Sequence, residues 1–181
     1  MNIILETPRL ILREFEMSDA ESVLELHSDP EVQKYVGQDV VTSIVEVKRD
    51  IKKIWEKEYK KYGFARWAVI LKEGDQFSGW AGLKYLPEYK EVDLGYRFLQ
   101  RFWGMGIATE ISREIVKYGF ETLKLKRIIG AAMLDNKASI RVLEKAGLKF
   151  DRLEPYGDEE EDSVWYALDR EDYATTSAVA K

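Results

Sequence analysis

FWGMGIATE, residues 102–110, follows the strand-like EVDLGYRFL (91–99) and leads into a helical stretch that runs to about Thr122. Two glycines one residue apart, Gly104 and Gly106, therefore stand between a strand and a helix. That order offers bare backbone N–H groups to an anion. The first N–H groups of a helix lack intrahelical acceptors, and the helix dipole adds roughly half a positive charge at the same end. Counting removes two phosphate loops. A P-loop requires glycine, four residues, then Gly-Lys-Ser/Thr, and no such string occurs. The dinucleotide fingerprint requires a small residue at its sixth position, which counted from Gly104 is Thr109. On the glycines alone, a tight turn with no ligand remains equally open.

Working outward, the chain alternates between the two structural periods. IILETPRLILREF (3–15) alternates around Leu10 and Leu12 and predicts one or two strands. Ser18-Asp19-Ala20-Glu21 has capping-box form and predicts a helix to about Ser28, before Pro30. Ile44, Val47, Ile51, Ile54 and Trp55 recur at helical spacing and predict a helix from about Ser43 to Lys61. FARWAVIL (64–71), FSGWAGLKYL (77–86) and EVDLGYRFL follow as strands. The last puts Val92, Leu94, Tyr96 and Phe98 on one face, with Asp93 and Gly95 on the other. After the glycines, Ala108, Ile111, Ile115 and Tyr118 form a helical stripe. RIIGAAML (127–134) predicts a central strand. A short helix follows over about 137–146, with Gly147 at its C-terminal cap. LKFDRLEPY and VWYALD close the chain around an acidic turn at 157–162, and ATTSAVAK reads as a frayed tail. The expectation is mixed α/β with one sheet.

Composition narrows the chemistry. The 181 residues suit one domain with its own core. The absence of cysteine excludes disulfides, thiolate metal sites and cysteine nucleophiles. One histidine, His27, cannot build a His-rich metal site, and it reads as a surface residue near a helix end. A net charge of −5 argues against nucleic acid as the main partner. No apolar run reaches the ~18 residues of a membrane span, and MNIILETPRL has no signal-peptide form. A soluble, cytoplasmic protein is expected, without a metal, as a monomer or homodimer.

AAMLDNKASIRVLEKAGLKF (131–150) sets Asn136, Ser139, a short helix and Gly147 after a buried strand. Together with EVDLGYRFL, FWGMGIATE and the opening TPRLILREF, it resembles the GNAT superfamily of acyl-CoA-dependent N-acetyltransferases. It is most similar to the branch that contains the ribosomal-protein N-terminal acetyltransferases. The resemblance implies a single GNAT-like domain over 1–173 with a disordered tail at 174–181. Its sheet would be central, twisted and mostly antiparallel, with about seven strands flanked by helices and a V-shaped opening between two central strands. The superfamily pattern Gln/Arg-x-x-Gly-x-Gly/Ala can be laid on Arg101, Gly104 and Gly106. In the branch register, Trp-Gly-x-Gly-x-Ala, Trp103 takes the polar position, and Gly106 and Ala108 are the small residues.

The resemblance implies acetyl-CoA, with the pantetheine beside Phe98 and Leu99 and the pyrophosphate on the amides of Gly104, Met105, Gly106, Ile107, Ala108 and Thr109. It places Asn136 near the cofactor, although an asparagine there also suits a helix N-cap. It gives Ser139 the leaving thiol, although a first-turn serine can be merely structural. A tyrosine acid seven residues after the asparagine is ruled out, since that position is Leu143. The implied reaction is direct attack of an amine on the thioester in a ternary complex. A neutral amine is required. An α-amine of pKa ~7.7–8.0 is neutral roughly a tenth of the time at pH 7, a lysine of pKa ~10.4 well under a thousandth. Asp93 stands where the family has a glutamate and is the candidate base, with Glu91 in reserve. A backbone N–H near Phe98 or Leu99 would meet the oxyanion. Lys124, Lys126, Arg127, Arg141 and Lys145 are candidates for the 3′-phosphate. GDEEED (157–162) could attract a cationic substrate or be a solvated turn. The expected acceptor is the α-amine of a peptide or protein. A small amine (polyamine, metabolite or drug) and a non-catalytic acyl-CoA-binding module are the alternatives.

Overall fold

A computed structural model describes residues 2–36, 40–157 and 162–179. Eight strands form one sheet: β1 (Ile3–Glu6), β2 (Leu10–Arg13), β3 (Arg66–Leu71), β4 (Gln76–Leu86), β5 (Glu91–Phe98), β6 (Arg127–Met133), β7 (Lys149–Pro155) and β8 (Asp162–Asp169). Their order is β1-β2-β3-β4-β5-β6-β8-β7. The strand beyond the expected seven comes from the first segment, which breaks at Thr7-Pro8. Proline cannot donate to a ladder, and the Thr7 N–H turns back to the Leu10 carbonyl at 2.9 Å.

One join differs from the rest. β4 and β5 are antiparallel and in register from Gly79↔Phe98 to Leu86↔Glu91. β5 and β6 are parallel, and Asp93↔Ile129 is their one registered pair. Past Asp93 the two strands diverge, which opens the sheet at its centre. Among the described residues, α1 (Ala20–Ser28), α2 (Pro30–Gln33), α3 (Ile44–Lys53), α4 (Lys60–Tyr62), α5 (Ile107–Glu121) and α6 (Lys137–Lys145) lie between strands, and α7 (Arg170–Val179) follows β8. The alternation of β3 shows how the faces are covered. Trp67, Val69 and Leu71 pack with Ile111, Ile115 and Leu143 from α5 and α6. Ala68 and Ile70 pack with Val23, Val47 and Ile51 from α1 and α3. A stretch buried on both faces has to be apolar throughout, hence WAVIL after Arg66.

Three local expectations are corrected. The turn into α1 is capped from Glu16, whose N–H donates to Asp19 Oδ2 at 2.7 Å, rather than by Ser18 and Glu21. The helix expected over 43–61 passes through a π-helical stretch, Ile54–Tyr59, between α3 and α4. There the Trp55 indole N–H donates to the Phe15 carbonyl and the Tyr59 hydroxyl to the Arg66 carbonyl, both at 2.7 Å. Finally, the segment from 174 onward, read as a tail, continues α7 to Val179. Most of the acidic turn, residues 158–161, lies outside the described residues.

Candidate active site

The opening between β5 and β6 is bordered at one end by the glycine turn. Gly104 and Gly106 have φ of +74° and +76°, the left-handed region that a Cβ disfavours. Conformation, rather than crowding, requires glycine here. A Cβ on Gly104 would meet nothing within 4 Å, and one on Gly106 only Arg9 Nη2 at 3.7 Å. The turn delivers the chain into α5, whose first N–H groups are free of intrahelical acceptors until Glu110 N–H reaches the Gly106 carbonyl at 3.0 Å. Gly104, Gly106, Ala108 and Thr109 line a cleft of about 220 Å³ with Ala138, Arg141, Val142 and Lys145 of α6. Bare amides, a helix N-terminus and two cations around one open space are the donor set of a diphosphate site. The residues present therefore fit the group that the sequence implies. Met105 is exposed and the Ile107 side chain is buried in the core, so both could contribute only through their backbones.

This turn is clamped from outside by residues to which the sequence reading assigned no role. Arg9 Nη1 donates to the Met105 carbonyl at 2.9 Å and Arg9 Nε to Glu110 Oε2 at 2.7 Å, while Thr7 Oγ1 donates to Glu110 Oε1 at 2.5 Å. Burial alone would raise the Glu110 carboxyl, but the bonds from Thr7 and Arg9 outweigh it and hold it below its ordinary value. Trp103, expected merely to replace a polar residue, donates its indole N–H to the Phe98 carbonyl at 2.7 Å and ties the loop to β5.

The β5 edge is more selective than expected. The Leu99 N–H donates to the Ser78 carbonyl at 3.0 Å, and the Leu99 carbonyl accepts from Phe102 at 2.9 Å. The Leu99 N–H is thus already engaged, which withdraws it as an oxyanion donor. By antiparallel alternation, Phe98 and Tyr96 turn their N–H groups away from β4, toward the gap left by β6. Across that gap, Asn136 caps α6, its Oδ1 accepting from the Ser139 N–H at 3.0 Å. The Ser139 hydroxyl shares a hydrogen bond of 2.9 Å with the Tyr96 hydroxyl, which also donates to the Ser139 carbonyl at 2.9 Å. Tyr96, which the sequence places only on one face of its strand with Val92, Leu94 and Phe98, spans the opening. Burial raises its pKa, so the hydroxyl stays protonated near neutral pH.

The other face of β5 carries Asp93, whose side chain is 7% exposed and paired with Arg66 Nη2. The Arg66 Nη1 donates to the Gly82 and Asp93 carbonyls at 2.5 and 2.9 Å. The guanidinium lies over Gly95, where a Cβ would overlap it. Glu91, the reserve base, is paired with Arg127 Nε at 3.4 Å. Arg127 also holds Asp151 and Asp169, each at 2.8 Å, and so has no vacancy for a phosphate. Lys124 and Lys126 follow the far end of α5, about 22 Å from its start at 1.5 Å per residue. Only Arg141 and Lys145 among the five candidate cations line the cleft. His27 is partly buried rather than on the surface. Its Nε2 accepts from Trp80 Nε1 at 3.2 Å, and burial, then the charge of Arg97, lowers its pKa to about 4. Among the described residues, no cluster of three metal-ligating side chains occurs, and no helix is long and apolar enough to cross a membrane.

Comparison with known proteins adds an independent line. Residues 9–149 match the acetyltransferase (GNAT) domain family. The chain is 33% identical over 147 residues to the uncharacterized N-acetyltransferase YoaA of Bacillus subtilis, covering 81% of this chain and 82% of that one. It is 32% identical over 185 residues to the FsC-acetyl coenzyme A-N(2)-transacetylase of Aspergillus fumigatus, covering 93% and 77%. Among solved structures, a GNAT-family acetyltransferase from Bacillus anthracis superposes with a TM-score of 0.77 at 31% identity, covering 94% of this chain and 99% of that one.

Proposed function

The chain belongs to the GNAT acetyltransferase family and is an acetyl-CoA-dependent acyltransferase; from that premise we propose that its acceptor is the α-amine of a peptide or protein. The state of the carboxylates carries this reading. Asp93 and Glu91 face the acceptor side of β5, and both are engaged by arginines. Taking a proton would oblige Asp93 to give up a buried ion pair, so its role is better described as holding Arg66 over Gly95. With neither of these two carboxylates free to act as a base, the described face suits an amine that is already partly neutral. An α-amine of pKa ~7.7–8.0 meets that condition, and a lysine or polyamine amine near ~10.4 does not.

The coenzyme supplies an acyl thioester and a thiolate leaving group. The chain's own groups would do the rest. The amides from Gly104 to Thr109, with Arg141 and Lys145, would hold the diphosphate. Phe98 N–H, free of β4 and β6, would meet the carbonyl oxygen as an oxyanion donor must. The Ser139 hydroxyl, which shares a hydrogen bond with Tyr96, would hydrogen-bond the departing sulfur, while the proton that the amine loses on acylation would pass to water; Asn136 keeps Ser139 in place by capping α6.

Free-thiol release on adding acetyl-CoA and a panel of amines tests the acceptor. Turnover is expected with free-amine peptides, absent with the same peptides N-acetylated, and rising with pH through the α-amine's titration. Turnover on polyamines but not peptides would overturn the assignment. Coenzyme binding without turnover on any amine would instead favour a binding module.

A further inference from the structure

The acceptor face of β5 holds unequal charges. Asp93, Gly95 and Arg97 alternate onto it, joined by Trp80 and Arg66 from the neighbouring strands. Arg66 is matched by Asp93. Arg97 is not matched: Nη1 donates to the neutral Gln33 Oε1 at 2.8 Å, and the guanidinium lies 5.0 Å from the Trp80 ring centroid. No carboxylate among the described residues pairs with it. Burial, and then the like charge of Arg66, lower its pKa to about 10, so it stays charged near neutral pH. His27, on the same tryptophan, is neutral there and contributes no compensating charge.

Two nitrogens of the Arg97 guanidinium are unused. Among the described residues neither Nε nor Nη2 has an acceptor, yet neither is sealed from solvent. Among the described residues, the buried side-chain atoms without partners are Arg13 Nε and Ser112 Oγ. The free edge therefore presents two parallel N–H groups from a partly buried aromatic platform. That is the shape that receives a planar carboxylate through two hydrogen bonds. A charge removed from water without a counter-charge is unfavourable until a partner arrives. Arg97 is one side-chain step from Gly95, about 7 Å along the strand, and so borders the point where Arg66 crosses the opened sheet.

We propose that Arg97, seated on Trp80 and held by Gln33, binds a carboxylate carried by the acceptor close to its reacting amine. The inference rests on the acetyltransferase reading above and narrows its substrate class to amines that bear an acid. The carboxylate can come from the side chain of an acidic first residue in a peptide, as the peptide reading above requires, or, in place of that reading, from a free amino acid. Polyamines, with cations where the site needs an anion, are disfavoured.

Isosteric pairs test this directly. The probes are Glu-Ala-Ala amide against Gln-Ala-Ala amide, free glutamate against its α,γ-diamide, and spermidine. With saturating acetyl-CoA, kcat/KM from thiol release should favour the acid over its amide tenfold or more in at least one pair, and that pair identifies the source of the carboxylate. Arg97→Gln should bring the ratio close to one, and Arg97→Lys should restore only part of it, since lysine keeps the charge without the fork. Equal rates for acid and amide in the wild type, or a preference for spermidine, would overturn the proposal. Silence from every probe would count against acetyl transfer itself. The same pairs, titrated calorimetrically into coenzyme-saturated protein, then decide the anion site alone: tighter binding of the acid supports it, equal affinities refute it.

Discussion

At the scale of single residues, the glycine turn shows where sequence reading was sufficient. Gly104 and Gly106 were singled out as positions where the backbone does the work, and their positive φ values of +74° and +76° say why. Placing a β-branched residue at φ near +76° costs about 1–2 kcal/mol or forces the loop to another shape. Gly106→Val should therefore weaken coenzyme A binding at least tenfold, by either route. The fold should persist, because nothing but Arg9 Nη2 comes within 4 Å of the new Cβ. Calorimetric titration with coenzyme A, paired with circular dichroism, measures the two effects separately. Unchanged affinity in a folded variant would remove the loop from the coenzyme site. The clamp on this loop was not legible. Thr7, Arg9 and Glu110 are each ordinary in sequence, and only the fold brings them together across a separation of about 100 residues. Tyr96 was hidden for another reason, since an aromatic in an alternating strand looks like core until its hydroxyl is seen on Ser139.

At the scale of elements, apolar periodicity located almost every strand and helix, because burial on one face or two dictates where apolar residues recur. Polar connections were less legible. Asp19 was read as part of a helix cap, yet its two carboxylate oxygens accept from Arg13 Nη1 and Nη2, both at 2.7 Å. The pair is 7% and 6% exposed, and it ties β2 to the turn that starts α1. A buried ion pair adds little over an apolar pair, but removing one partner strands the other charge. Arg13 Nε already lacks a partner, and without Asp19 the guanidinium would keep only the Glu14 carbonyl, which accepts from Nη1 at 2.9 Å. Asp19→Ala should destabilise the protein by about 3–5 kcal/mol, read as a lower urea midpoint with little change in slope. A loss below ~1 kcal/mol would mean that water replaces the carboxylate. The π-helical stretch at Ile54–Tyr59 left no sequence signal, because the side chains there still follow a helical stripe.

At the scale of the whole molecule, the decisive feature is the opening between β5 and β6. It is a property of register, with the single pair Asp93↔Ile129 where the antiparallel neighbours are zipped along their length. No residue spells it out, which is why only the family resemblance led to its expectation. Its consequence is mechanical. The β1–β5 half of the sheet and the β6–β8 half meet through few backbone bonds, and the cleft between the α5 turn and α6 spans the join. A ligand that touches Gly104, Gly106 and Thr109 on one side and Arg141 and Lys145 on the other should therefore bind the native state alone and couple the halves. Such a ligand at a hundred times its Kd adds about 2.7 kcal/mol of stability. For a domain of this size, that corresponds to a rise in Tm of roughly 5–11 °C. A thermal melt with and without coenzyme A measures it, and Arg141→Ala with Lys145→Ala should shrink the shift by weakening the coenzyme's hold on α6. A melt unmoved by coenzyme A at millimolar concentration would separate the cleft from the coenzyme and reopen the question of what the glycine turn holds.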